Sequence, residues 1–209
     1  MGYFVRLMQP EDIPQLTEID REAFPTDWPP ISFKRELENR LARYLVICEE
    51  AGCQGNPHDA PPRGKLQRLV FWTKHSPNKG TSSPQPIIGY ATLWFMVDEA
   101  HLTSIAVREK RRRQGLGELL LISVLNLAIK RHAQVVTLEV RASNLSAQAL
   151  YEKYSFNRVG IRRRYYSDNG EDAVLMSTEK LTSPSYQARF QELKEAFLRR
   201  WGDYHPFTG

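Results

Sequence analysis

"HLTSIAVREKRRRQGLGELLLISVLNLAIK", His101 to Lys130, decides the architecture. Its opening, with Thr103, Ile105 and Val107, has strand composition. Its end sets Leu119, Leu120, Ile122, Val124, Leu125 and Leu127 around a helix broad enough to lie against a sheet. Between them come Arg108, Lys110, Arg111, Arg112 and Arg113, interrupted only by Glu109, and then Gly115 and Gly117. Glycine lets main-chain N–H groups turn inward and approach an anion, and a helix N-terminus adds about half a unit of positive charge where they converge. A strand, loop and helix joined in this way suit a pyrophosphate. The lysine and hydroxyl of a P-loop are missing, and so is the three-glycine dinucleotide fingerprint. The loop alone leaves two other readings open: a solvated basic turn, or a basic patch for RNA.

Working outward, "DEAHLTSIAV" follows "IIGYATLWFMV", a long aromatic and β-branched strand, across an acidic turn. Towards the C-terminus "AQVVTLEV" reads as a strand, "NLSAQALYEKY" as a helix and "NRVGIRRRYYSDNGEDAVLMSTEKL" as a hairpin. The hairpin's tip, "SDNGED", centres on Asn-Gly, which predicts a tight primed turn. Near the N-terminus a short strand passes at Pro10 into a helix with Ile13, Leu16, Ile19 and Phe24 at helical spacing. "PTDWPP" ends it; "SFKRELENR" is a second helix and "RYLVICEE" a strand. Residues 51–65 and 76–86 are rich in Gly, Pro, Ser and Asn and read as surface loops flanking one inserted strand, "LQRLVFWTK". After Pro184 a stripe of Tyr186, Phe190, Leu193, Phe197 and Trp201 predicts a final helix, packed on its own domain or on a partner. The sum is a mixed α/β (α+β) domain over residues 1–182, with a loop-rich insertion at about 51–86 and a helical extension over 183–209.

With 209 residues, 41% apolar and 25% charged, the chain is long enough for one well-buried core and has an ordinary soluble composition. No run approaches the roughly 18 apolar residues a bilayer crossing needs, and the first residues lack a targeting pattern, so a cytoplasmic protein is expected. Cys48, Cys53 and His58 lack further ligands at zinc spacing, so no metal is expected. The net charge of +5 suits an anionic cofactor, an acidic peptide or RNA.

"VTLEVRASN", Val136 to Asn144, carries the candidate chemistry. Val136, Leu138 and Val140 alternate with Thr137, Glu139 and Arg141, so Glu139 lies on a polar strand face, either simply wet or handling a proton. Tyr151 shares a helical stripe with Ala147, Leu150 and Tyr154, which a core residue would also do. Asn144 is suited to cap the helix that follows.

The R-x-x-G-x-G spacing of Arg112 to Gly117 after "LTSIAV" resembles the acetyl-CoA signature of the GNAT superfamily of N-acetyltransferases. More narrowly, "DEAHLTSIAV", "RRRQGLGELLL", "LEVRASNLSAQALYEKYSF" and "GIRRRYYSDNGEDAVLM" resemble the ribosomal-protein-alanine N-acetyltransferases of the RimI type. The resemblance runs from Tyr3 to about Leu181, and the insertion and the tail depart from it. It implies a central mixed, mostly antiparallel sheet with flanking helices and splayed central strands, plus the extra C-terminal helix. It further implies acetyl-CoA as acetyl donor, bound by Ile105, Ala106, Val107, Arg112, Arg113, Gln114, Gly115, Leu116, Gly117, Glu118, Asn144 and Tyr151, with Asn144 on its pantetheine arm. Glu139 would be the general base and Tyr151 the general acid, and Phe24, Pro25, Tyr165 and Tyr166 would flank the acceptor groove.

The acceptor implied is a protein N-terminus, the alanine of a small-subunit ribosomal protein, with no membrane or specific nucleic acid as partner and the enzyme a monomer or weak dimer. Other N-termini or small amines are the alternative acceptors, and a non-catalytic ribosome- or RNA-binding module is the alternative from another class. An α-amine near pKa 7.7–8.0 must lose a proton before attack, and an ordinary glutamate near 4.3 is a weak acceptor, so Glu139 should be raised by desolvation or use a relaying water. Glu22, Glu171 and Asp172 could draw in a positively charged N-terminus. Neither cysteine lies in the motif region, so direct transfer in a ternary complex is expected.

Overall fold

The computed structural model describes residues 2–24, 32–50 and 85–208. In chain order these form β1 (Tyr3–Leu7), a 3-10 turn at Pro10–Asp12, α1 (Ile13–Ala23), α2 (Phe33–Glu38), β2 (Ala42–Glu49), β3 (Ile87–Met96) and β4 (Glu99–Val107). Then follow α3 (Leu116–Lys130), β5 (Val135–Arg141), α4 (Leu145–Lys153), β6 (Phe156–Tyr166), β7 (Glu171–Thr178), α5 (Pro184–Arg200) and β8 (Tyr204–His205). The strands make one sheet in the order β6-β7-β5-β4-β3-β2-β1-β8, antiparallel except for the β4–β5 and β1–β8 pairs. This is the expected mixed, mostly antiparallel sheet.

Strand alternation sorts the side chains into two cores. On one face Leu45, Leu93, Leu102, Val136, Leu138 and Met176 pack under α3, whose Leu119 to Leu125 are buried on every side, and under Tyr186, Phe190 and Phe197 of α5. On the other face Tyr44, Val46, Cys48 and Tyr90 meet Leu16 and Ile19 of α1 and Phe33 of α2. The apolar stripe of the C-terminal helix is thus largely core.

The feature that makes a site is the parting of β4 from β5. Their parallel register runs only from Glu99↔Val135 to Leu102↔Leu138. At that point β4 carries a bulge: Thr92 faces Ser104 and Leu93 faces Leu102, so Thr103 is an extra residue. A bulge bends its strand and adds twist. Beyond it β4 continues with β3 as far as Val107, while β5 continues with β7 as far as Arg141. The two strands therefore splay apart, as expected.

Three local expectations differ. Phe24 is not part of the α1 stripe; it stands just past the helix end and is 41% exposed. The tip of the β6–β7 hairpin is a four-residue loop, Ser167 to Gly170, closed by the Gly170 N–H on the Tyr166 carbonyl at 2.7 Å, with only Gly170 at positive φ. Asp168 and Glu171 are drawn to Arg141, and Asn169 accepts the Glu171 N–H, so these contacts override the local preference for a two-residue turn. Two-residue β8, not expected from sequence, returns beside β1. The inserted strand expected at 66–74 lies outside the described residues.

Candidate active site

The glycine loop bridges the end of β4 and the start of α3. Gly115 caps the helix at φ +75, and its carbonyl accepts the Leu119 N–H at 2.9 Å. The amides of the first helical turn, from Leu116 through Glu118, have no intrahelical partner and face the helix's positive end. The two glycines differ. A Cβ on Gly115 would lie 2.8 Å from the Trp201 indole, whereas one on Gly117 would meet nothing within 4 Å. Gly115 thus packs inward, and Gly117 leaves its side of the loop open. Leu116 is buried and brings only its backbone. The Glu118 carboxylate is held by Lys153 Nζ at 2.5 Å and the Tyr154 hydroxyl at 2.7 Å, so what it offers the loop is its amide. Arg112 and Arg113 are exposed; Arg108 and Arg111 are engaged inside the fold, with Glu18 and Glu22 and with Glu49 and Tyr3. Ile105, Ala106 and Val107 lie on the splayed part of β4, so that stretch and the loop border the same opening.

Glu139 sits on the opposite lip, on the sheet face away from α3. Its side chain is only 9% exposed, with Oε2 2.9 Å from His101 Nε2 and Oε1 3.2 Å from an Arg162 nitrogen. His101 Nδ1 lies 2.8 Å from the Thr137 hydroxyl, which itself donates to Glu99. With that proton given to Glu99, Thr137 can only accept from the imidazole, and Glu139 is the other acceptor. The His101 hydrogen bond, seconded by Arg162, outweighs burial and holds the Glu139 carboxyl below its usual range. The expected upward shift by desolvation is not found. His101 was not anticipated: it is a β4 residue brought to Glu139 by the parallel register that sets it opposite Thr137.

Tyr151 is buried, its ring 5.7 Å from Phe156, and burial raises its phenol, with Tyr166 a secondary cause. Burial also pushes Tyr166 up to about 12, against the Arg141 guanidinium that lies 3.9 Å from its ring centre. Tyr165 and Tyr166 pack edge to face at 5.2 Å on the hairpin. Asn144 caps α4 by accepting the Ala147 N–H at 3.2 Å. Phe24 stands at the end of α1, which packs over β3 and β4. Pro25 lies outside the described residues. The three carboxylates considered for attracting an N-terminus are already engaged. Glu22 accepts the Glu109 N–H, and Asp172 holds Arg163 and the Arg164 N–H. Glu171 accepts from Ser143, bonds that bring its carboxyl down to about 2.

The sequence over residues 13–156, which carries both lips of this split pair, matches the family model for the acetyltransferase (GNAT) family. The chain belongs to that family. This acetyltransferase is 35% identical over 173 residues, 82% of its length and 92% of the relative's, to a Bacillus subtilis protein provisionally named [ribosomal protein bS18]-alanine N-acetyltransferase. It is 31% identical over 177 residues, 84% of its length and 92% of the relative's, to an N-alpha-acetyltransferase of Saccharolobus solfataricus. Among solved structures, the ribosomal-protein-S18-alanine N-acetyltransferase of Escherichia coli superposes with a TM-score of 0.62 at 26% identity, covering 84% of this chain and 92% of that one. Among the described residues no group of His, Cys, Asp and Glu could hold a metal ion, and no helix is long and apolar enough to cross a membrane.

Proposed function

We propose that this enzyme transfers acetyl from acetyl-CoA to the N-terminal α-amine of a protein, with the N-terminal alanine of a small-subunit ribosomal protein as acceptor. The observation that carries the reading is Glu139, anionic and almost enclosed, across the β4–β5 opening from the amides at Gly115 to Glu118. The names of the relatives point to the same acceptor.

The loop amides bind the diphosphate, and Asn144 and the splayed end of β4 line the path of the pantetheine arm. A β4 amide between Ile105 and Val107 donates to the thioester oxygen as it gains charge. Magnitudes decide when Glu139 acts. Taking a proton from an intact ammonium of pKa 7.7–8.0 onto a carboxylate held below 4.5 is uphill by about 4 kcal/mol or more. Selecting the free-base fraction of the amine at pH 7 costs only about 1 kcal/mol. The amine therefore sheds its first proton to water, and Glu139 takes the second as nitrogen bonds the carbonyl carbon and its remaining proton becomes acidic. His101 and Arg162 hold the carboxylate in place for that step. Tyr151 hydrogen-bonds the departing sulfur. Its phenol stands above 10 against about 8.5 for an ordinary thiol, so full proton transfer costs about 2 kcal/mol or more and completes as solvent resupplies the proton.

Titration calorimetry with acetyl-CoA, followed by mass spectrometry of an Ala-initiated peptide, tests the reading. Binding and a single acetyl on the α-amine are expected, with Tyr151→Phe binding normally and turning over at least about tenfold more slowly. No acetyl-CoA binding, or salt-sensitive RNA binding in its place, would refute it. The engagement of Arg108, Arg111, Arg162 and Arg163 in ion pairs within the fold counts against the RNA-binding alternative. A panel of peptide N-termini and small amines separates the acceptor classes.

A further inference from the structure

The segment after α5 ends against the glycine loop, where its contacts converge. The Tyr204 hydroxyl donates to the Gln114 carbonyl at 2.8 Å. The Trp201 indole lies against the Cα of Gly115, so close that it occupies the space a Cβ would need. Tyr204 is itself buried, stacked on Trp201 at 5.1 Å and edge-on to Tyr3 at the same separation. Its main chain pairs with β1. Beyond it the Phe207 N–H donates to Ser123 and the Phe207 carbonyl accepts from Asn126, both on α3. The segment is therefore fixed to the strand and the helix on either side of the loop, and reaches the loop with one donor and one ring.

In a planar trans peptide the carbonyl and the following N–H point in opposite directions. Holding the Gln114 carbonyl toward Tyr204 thus aims the Gly115 N–H away from the segment. Trp201 fills the inner side, which leaves the anion only the outer one, where Gly117 is open. We infer that Tyr204 is a positioning residue for cofactor binding: with Trp201 it holds the 113–118 loop in the orientation that receives a diphosphate. The role rests on the reading of this loop as the diphosphate seat of acetyl-CoA.

Tyr204→Phe removes only the donor and keeps the ring packing. Expected are a KM and Kd for acetyl-CoA raised about 3–10-fold, the loss of one hydrogen bond. Turnover at saturating acetyl-CoA and the KM for the peptide stay as in wild type. With S-acetylpantetheine as donor, which lacks the diphosphate, wild type and variant should be equal, and amide exchange over residues 113–118 should quicken in the variant. Trp201→Ala should shift acetyl-CoA binding the same way. An unchanged acetyl-CoA KM in Tyr204→Phe, or an equal rise with S-acetylpantetheine, would overturn the role of Tyr204 alone. A wild type that turns over peptide yet binds acetyl-CoA no better than acetylpantetheine would overturn it too. A wild type that binds no acetyl-CoA would overturn both this and the proposed function.

Discussion

Replacing Glu139 by glutamine separates two jobs a carboxylate could do here. Glutamine keeps the shape and an acceptor oxygen for His101 Nε2, so positioning within the row largely survives. What is lost is the anion and its basicity. General-base catalysis contributes about 10²–10⁴-fold, so kcat should fall by about 10²–10³ while the KM for acetyl-CoA stays within about twofold. The stability cost should be about 1–2 kcal/mol at neutral pH, the difference between charge-assisted and neutral hydrogen bonds at a nearly enclosed site. Because the folded carboxyl lies below its usual 4.5, this contribution is present above that pH and disappears as pH falls through the folded value. Wild type and variant should therefore converge in urea midpoint on acidification. The deciding assay is initial-rate acetylation of an Ala-initiated peptide at pH 7 and pH 9.5, read by mass spectrometry. If Glu139 served only to strip the ammonium, glutamine would recover at pH 9.5, where the amine is already free. If it takes the proton released during attack, the loss persists, and that is the expected result. Recovery to within threefold of wild type at pH 9.5 would refute the timing argued above, and the same small deficit at pH 7 would refute the role altogether.

Two further substitutions test the frame around the site. Gly115→Ala places a Cβ at φ +75, a left-handed conformation costing about 1–2 kcal/mol, and forces the Trp201 indole to move; a lowered melting temperature and an acetyl-CoA KM raised at least about tenfold are expected. Gly117→Ala, whose Cβ meets nothing, should leave the melting temperature unchanged or raised, and equal destabilisation by the two would sink the distinction. Asp20, buried under the sheet with the Tyr90 hydroxyl as its donor, has its carboxyl raised above 3.8 by burial. Stability from this group therefore falls as pH rises through the folded value, and Asp20→Asn should stabilise by about 1 kcal/mol at pH 7 and by nothing near pH 3.5 in urea titrations. Equal or lower stability at pH 7 would count against it.

What the sequence disclosed followed the range of the interactions involved. Gly115, Gly117 and the helix after them form a local unit, so spacing alone exposed it. The alternation of its own strand puts Glu139 on a polar face, and only the family resemblance gives it a proton to handle. His101, 38 residues earlier, becomes its partner only through the β4–β5 register, and no pattern within either strand signals that. The hairpin tip departs from its Asn-Gly preference for the same reason: Arg141, on another strand, commands Asp168 and Glu171. Two-residue β8 is too short to show any periodicity, so the link from Tyr204 back to Gln114 was invisible before the chain was folded. The apolar stripe of α5 was legible, but not the glycine loop against which Trp201, just past the helix end, packs.

The short β4–β5 ladder has a mechanical consequence. Three strands, β6, β7 and β5, meet five others through four residue pairs, with α3 lying across the seam. Such a seam divides a sheet into two blocks able to open separately, below the cost of global unfolding. A ligand gripping both lips rivets them together. Its signature would be slower hydrogen exchange far from any atom it touches, spread along β7 on one side and β3 on the other.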